Sequence, residues 1–406
     1  MTSSVFDLAS RLSVLQPSAT VAVTQRAREL KSQGRDVLSF SMGEPDFATP
    51  DHVAKAATQA IARGETRYTA VRGIEPLRQA ICDDSAKRRG VTHQPGEVVV
   101  STGAKQCLLN LALALYEPGD EVIIPAPYWV SYPEQVRLAG ATPRIIAGAP
   151  EQNFCITPAQ LEAQITAKTK ALVLCTPSNP TGAAYRPEQL RALADVAAKH
   201  RFWIIVDEIY ARLVYDDFPQ QSILQIAPEL RARIIIVDGV SKTFAMTGWR
   251  IGWLLADAAI AKACDTLQGQ STSNPTTVAQ HAALAALTGA QEPVEAMRCA
   301  FETRRNLLVA GLNAIEGVKC GMPNGAFYAF WDMRAWLGAK TPQGGSIQSD
   351  IDLATYLLDE ALCALVPGTA FGAPGFLRMS YAASEETLNE GLKRIGKALS
   401  ALQRSA

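Results

Sequence analysis

Lys242 and Arg250, eight positions apart, offer the most concentrated chemistry in this 406-residue chain. Lys242 follows the apolar run Ile234-Ile235-Ile236-Val237 and the break at Asp238-Gly239. Such a run is expected to form a strand buried on both faces of a parallel sheet. Ser241 and Lys242 then occupy the loop beyond its carboxyl end, the edge at which open α/β sheets hold ligands. A second strand is expected over 249–255, with Arg250 at its start. Most loop lysines are solvated surface charges. A lysine wedged between two apolar strands differs, because desolvation and a neighbouring cation turn its amine into a nucleophile toward carbonyls. The planar guanidinium of Arg250 suits phosphate oxygens.

Aldehyde and phosphate together describe pyridoxal phosphate, a hypothesis that other strand ends can support. Asp207 closes the run Trp203-Ile204-Ile205-Val206 and is followed by Glu208-Ile209-Tyr210. A carboxylate there either caps a helix or keeps a pyridine nitrogen protonated. Trp129, after a strand over 121–125, either packs with Tyr128 in a seam between domains or stacks on a flat ring. Asn179 opens Asn179-Pro180-Thr181-Gly182, which is either a simple turn or a further strand-end contact. Gly103, Ala104 and Lys105 lead from a strand over 97–101 into an apolar helix over 104–115, and free N–H groups at a helix start attract anions. Arg378 alternates with Leu377 and Met379, so it faces away from them, either as a surface charge or to grip a substrate carboxylate.

Composition narrows the function classes. The chain is 48% hydrophobic with formal net charge +0, so it can bury a large core and has no electrostatic reason to seek nucleic acid or an anionic membrane. Eight cysteines lack any C-x-x-C pair and read as small core residues of a reducing compartment, and four histidines lack ligand spacing, so no metal is expected. No G-x-G and no P-loop pattern occurs. The amino terminus lacks a signal-peptide pattern and no apolar run is long enough to span a bilayer, so a soluble cytoplasmic protein is expected. Around the sheet, helices are expected over 19–33, over 51–63 with Thr49 as its cap, over 75–89, and from about 293 to 315. A short strand is expected over 36–41, and strands of a smaller sheet over 325–330 and 376–381.

The segments Pro17-Ser18-Ala19-Thr20, Gly43-Glu44-Pro45-Asp46-Phe47, Tyr128-Trp129-Val130-Ser131-Tyr132-Pro133, Asn179-Pro180-Thr181-Gly182, Asp207-Glu208-Ile209-Tyr210, Ser241-Lys242 with Thr247-Gly248-Trp249-Arg250-Ile251-Gly252, and Arg378-Met379-Ser380-Tyr381 resemble class I aminotransferases. They are most similar to the prokaryotic aspartate aminotransferase branch that includes aspartate/prephenate aminotransferases, from about residue 10 to 400. The resemblance implies fold type I: an α/β large domain on a mostly parallel seven-stranded sheet over 47–305, and a smaller α+β domain from 1–46 and 306–406. It implies a homodimer with shared sites, using pyridoxal 5′-phosphate, an amino acid and a 2-oxo acid.

By the matched motifs, Lys242 would form the Schiff base and carry the proton, and Asp207 would pair with the pyridine nitrogen. Tyr210 and Asn179 would bond the ring hydroxyl, and Trp129 would stack on the ring. Arg250 and the turn of Gly103, Ala104 and Lys105 would bind phosphate, with Tyr68 arriving from the other subunit, and Ser241 would also contact the cofactor. Arg378, with Asn179 and Gly43, would hold the substrate α-carboxylate, and Lys105 with Thr20 its acidic side chain. Gln16 stands where close relatives often carry lysine, which removes a positive charge from the entrance. Aspartate is the expected amino donor, with prephenate or aromatic substrates second. A lyase of the same fold would share every cofactor residue. A transcription regulator of this fold would need a DNA-binding domain before residue 10.

Overall fold

Alternate residues of the apolar runs serve two separate cores, which is why those runs are continuous rather than alternating. Ile234 and Ile236 belong to one core with Val98, Val100, Ile204 and Val206, whereas Ile235 and Val237 belong to another with Val99 and Ile205. A strand covered on both sides has no solvent face on which to place a polar residue. In the computed structural model, which describes residues 9–16 and 19–404 apart from the side chains of residues 19–21, these runs build a seven-stranded sheet. Thr20 lies outside the described side chains.

After a short strand β1 (Leu38–Ser39) come β2 (Val98–Ser101), β3 (Glu121–Ala126), β4 (Thr142–Ala147), β5 (Thr169–Cys175), β6 (Trp203–Asp207), β7 (Ile234–Gly239) and β8 (Gly252–Leu255). The sheet order is β2-β8-β7-β6-β5-β3-β4. β8 runs antiparallel to both its neighbours and every other pairing is parallel. Gly252 pairs with both Ser101 and Gly239, so the start of β8 lies at the same edge as the carboxyl ends of β2 and β7.

The remaining strands are β9 (Lys319–Cys320), β10 (Tyr328–Asp332), β11 (Cys363–Ala364), β12 (Val366–Pro367) and β13 (Phe376–Ser380). An antiparallel sheet of order β12-β13-β10-β9 shares a third core with the helices Glu292–Asn313 and Glu385–Ser400. Residues near β1 are stitched to this carboxyl-terminal region: Phe40 donates to Ala364 O and accepts from Ser380 N. No helix among the described residues is long and apolar enough to cross a membrane.

Three sequence expectations need correction. Thr49 does not cap the helix Asp51–Ala62, whose cap is Pro50 without a side-chain bond. Its hydroxyl instead donates to Ala245 O and accepts from Trp249 Nε1, tying residue 49 to the segment after Lys242. The strand expected over 36–41 shrinks to Leu38–Ser39, the only stretch that meets the ladder of β11. Arg250 does not start a strand. It follows a 3-10 turn, Thr247–Trp249, and has φ +54 in the left-handed region, where the ladder cannot continue.

Beneath the ligand edge lies a buried ion network. Arg89, 2% exposed, donates to Glu208 at 2.7 Å and to Asp238 at 2.6 Å, and Arg88 also reaches Asp238 at 2.7 Å. These arginines end the helix Glu75–Arg89, and their partners sit at the ends of β6 and β7. Charges this deep persist only when paired and hydrogen-bonded. The network therefore fixes the strand ends on which the site is built.

Candidate active site

The strand ends converge on one cavity of about 350 Å³. Gly43, Ala104, Lys105, Trp129, Asn179, Asp207, Tyr210, Ser241, Lys242, Arg250 and Arg378 all line it, although they span most of the chain. Gly103 stands just behind, against the Arg250 guanidinium. Tyr68 is 89% exposed and lines no part of the cavity of this chain.

Lys242 donates from Nζ to Gly43 O at 2.6 Å. Burial pushes its amine down to about 8, and Arg250 and Arg378 add to that effect while Glu44 opposes it. Glu44 is itself held by the Thr247 hydroxyl at 2.8 Å. At neutral pH this amine is neutral far more often than an ordinary lysine.

Asp207 accepts from Tyr132 Oη at 2.8 Å on one oxygen and from Ile209 N at 3.2 Å on the other. The second bond is a capping contact, but it closes a turn rather than a helix. Burial pushes the carboxyl up to about 6, while the two hydrogen bonds hold it down.

Trp129 and Tyr128 divide their two readings between them. Tyr128 meets the smaller sheet region through Phe371 O and Gly372, whereas Trp129 lines the cavity with the Lys105 ammonium 4.9 Å from its ring centre. Burial and Arg250 lower the Lys105 pKa.

Arg378 is no surface charge. It is 1% exposed, lies between the rings of Tyr328 and Phe371, and donates to Asn179 Oδ1 at 2.9 Å and Ser41 O at 2.6 Å. Its Nε has no partner, and no acidic residue pairs with it among the described residues. Burial lowers its pKa. Tyr210 points its hydroxyl at Tyr328 Oη, 2.9 Å away.

The corner beside Arg250 is built from bare backbone. Gly103 has φ +85 and provides no side-chain cap for the helix Ala104–Leu115. A Cβ at Gly103 would stand 2.5 Å from Arg250 Nη2, and one at Gly252 would stand 2.3 Å from Ala104 N. Side chains are excluded there, and the uncapped N–H groups and Arg250 share one corner. Sequence reasoning gave no role to Tyr132, Tyr328 or Ser41. For Tyr132 a signal existed: it follows Trp129 by three positions at a helix start, a spacing that places two side chains on one face.

A mostly parallel α/β sheet with a lysine, an aspartate and an arginine at its ligand edge, faced across the cavity by Arg378 from the smaller sheet, is the arrangement of a fold type I aminotransferase. The chain matches the family model for aminotransferase class I and II over residues 35–395, and it belongs to that family. It is an aminotransferase. It is 48% identical to the aspartate/prephenate aminotransferase of Cereibacter sphaeroides over 96% of this chain and 97% of that one. It is 46% identical to the aspartate aminotransferase of Geobacillus stearothermophilus over 97% and 99% of the two chains. The crystal structure of the Rhizobium meliloti aspartate aminotransferase superposes with a TM-score of 0.95 at 43% identity, covering 98% of this chain and 100% of that chain.

Proposed function

We propose that this aminotransferase binds pyridoxal 5′-phosphate in the cavity and transfers the amino group of an L-amino acid, aspartate first, to 2-oxoglutarate by ping-pong half-reactions. The observation that carries this reading is Arg378, a buried cation without an acidic partner among the described residues, facing a depressed lysine amine across the cavity. Such a charge calls for an anionic ligand. The uncapped helix start beside Arg250 suits the phosphate, and Asp207 suits a protonated ring nitrogen.

When bound, the cofactor supplies an aldehyde that condenses with amines and a ring that takes up electrons. Lys242 Nζ would hold it by the aldehyde carbon until the substrate amine displaces it, and the freed amine would carry a proton from the substrate Cα to that carbon, and back in the opposite half-reaction. Asp207 would hold the ring nitrogen's proton, and Tyr210 and Asn179 the ring hydroxyl. Trp129 would cover one face, and Arg250 with Ser241 and Gly103 to Lys105 would hold the phosphate. Arg378, Asn179 and Gly43 would fix the α-carboxylate. Lys105, with Thr20, would meet the side-chain carboxylate.

The division into 47–305 as a cofactor-binding domain and 1–46 with 306–406 as a smaller one belongs to this proposal. So does a homodimer in which the exposed Tyr68 reaches a second copy's phosphate. The name of the Cereibacter relative favours prephenate as the second substrate reading.

The test is one half-reaction with aspartate and with phenylalanine, without a keto acid, followed by cofactor absorbance. Conversion of the cofactor to its amine form is expected, faster with aspartate. Lys105→Ala is expected to slow aspartate by about 10–100-fold, the worth of one charge-assisted bond, and phenylalanine little. Equal slowing of both would remove Lys105 from side-chain recognition.

A pH dependence follows from Lys242. Only the neutral amine attacks a carbonyl, and its fraction grows as pH rises through the folded pKa of about 8. The rate at which cofactor-free protein captures pyridoxal phosphate is therefore expected to rise with pH and level off above about 8. Stopped-flow absorbance across pH 6–11 checks this; a midpoint near the ordinary lysine value of about 10.4 would contradict the depressed amine.

A further inference from the structure

We infer that Tyr132 is a positioning residue that acts through Asp207, aiming its carboxylate at the cofactor ring nitrogen and holding it ionised. The inference rests on the role proposed above for Asp207.

Tyr132 lies in the first turn of the helix Ser131–Leu138 and is buried. Its hydroxyl donates to Asp207 Oδ2 at 2.8 Å and also interacts with the Cys175 thiol. A buried tyrosine needs some acceptor, and a backbone carbonyl is the usual one. Here the acceptor is the one carboxylate lining the cavity. A carboxylate offers about four acceptor sites, so the bonds from Tyr132 and Ile209 leave room for a donor from the cavity. Two fixed donors determine the plane of the carboxylate, and thus the direction of the remaining site.

The same ring also meets Trp129 edge-on, with centroids 5.4 Å apart and planes at 79°. One side chain therefore braces both the carboxylate and the indole proposed to cover the ring.

The hydroxyl also opposes the surroundings of Asp207. Burial favours the neutral acid, and Asp238 on β7 pushes the same way. Lys242 beyond β7 and the bonds from Tyr132 and Ile209 favour the carboxylate, while Cys175 on β5 and Cys107 on the helix Ala104–Leu115 stand close as un-ionised thiols. A protonated Asp207 could no longer pair with a protonated ring nitrogen. Among side-chain contacts to Asp207, the Tyr132 hydroxyl is the direct hydrogen bond that opposes this.

Tyr132→Phe keeps the ring and its contact with Trp129 and removes only the hydroxyl. Two readouts separate positioning from packing. In cofactor-free protein, infrared difference spectra against Asp207→Asn give the protonation midpoint of Asp207. Loss of one bond to an ionised oxygen is expected to raise it by about one pH unit. In a double-mutant cycle, the dissociation constant for pyridoxal phosphate at pH 7 is expected to rise about tenfold in the native background and less than about twofold in the Asp207→Asn background. Melting curves of the cofactor-free variants confirm that each is folded. An unmoved midpoint, or the same loss of affinity in both backgrounds, would overturn the inference while leaving Asp207 in place. Unchanged affinity in Asp207→Asn alone would overturn the role of Asp207 and Tyr132 together.

Discussion

Lys242→Ala is expected to lower the half-reaction rate by at least about 10⁴-fold, the upper range for loss of one positioned acid–base group. The amine donates to Gly43 O in the resting protein and lies in the same cavity as Asp207, Arg250 and Arg378. Alanine removes the attachment point and the proton carrier together. It also removes a cation that favours ionised Asp207, so the ring-nitrogen partner weakens as well. Lys242→Arg is the informative companion. It restores positive charge but holds its proton at any working pH, so it can serve neither as nucleophile nor as base. Rapid-mixing absorbance with aspartate measures both variants. An arginine variant within tenfold of the native rate would sink the base role and leave Lys242 as a counter-charge.

The features that led to Lys242 were legible because they are local. A strand covered on both faces needs apolar residues at every position, so β5, β6 and β7 stand out as runs, and the polar residue after each run stands at the ligand edge. Asp207 and Lys242 are both found this way. What escaped depended on distant partners. A threonine before proline looks like a helix cap, yet the Thr49 hydroxyl goes to Ala245, 196 positions away. The start of β8 depends on where its neighbours end, at Ser101 and Gly239, and nothing in residues 249–252 states that limit. Alternation in β13 predicts that Arg378 faces away from Leu377 and Met379, but not that Tyr328 and Phe371 wait there to bury it. The Tyr132 hydroxyl escaped for the same reason, since its acceptor is 75 positions distant.

The burial of Arg378 leads to the second large effect, in which stability and activity separate. Arg378→Met is expected to lower kcat/KM for every amino acid by about 10²–10⁴-fold, the worth of two charge-assisted bonds to a carboxylate. The loss should be similar for aspartate and phenylalanine, because both carry the α-carboxylate. Its cost to folding should be small by comparison. A buried cation without an acidic partner contributes little to stability, and methionine fills similar volume without the desolvation penalty. Against that gain stand Asn179 Oδ1 and Ser41 O, which lose their donor. Arg89→Met provides the contrast, since an equally buried guanidinium there is paired with Glu208 and Asp238. Removing it takes the paired cation from Glu208 and leaves Asp238 to Arg88 alone, a loss of about 3–5 kcal/mol. Denaturant unfolding of the cofactor-free variants, set beside their kcat/KM, reads both quantities. If Arg378→Met destabilises the fold as much as Arg89→Met, then Arg378 is chiefly a structural cation, and the argument that its unpaired charge awaits a substrate carboxylate fails.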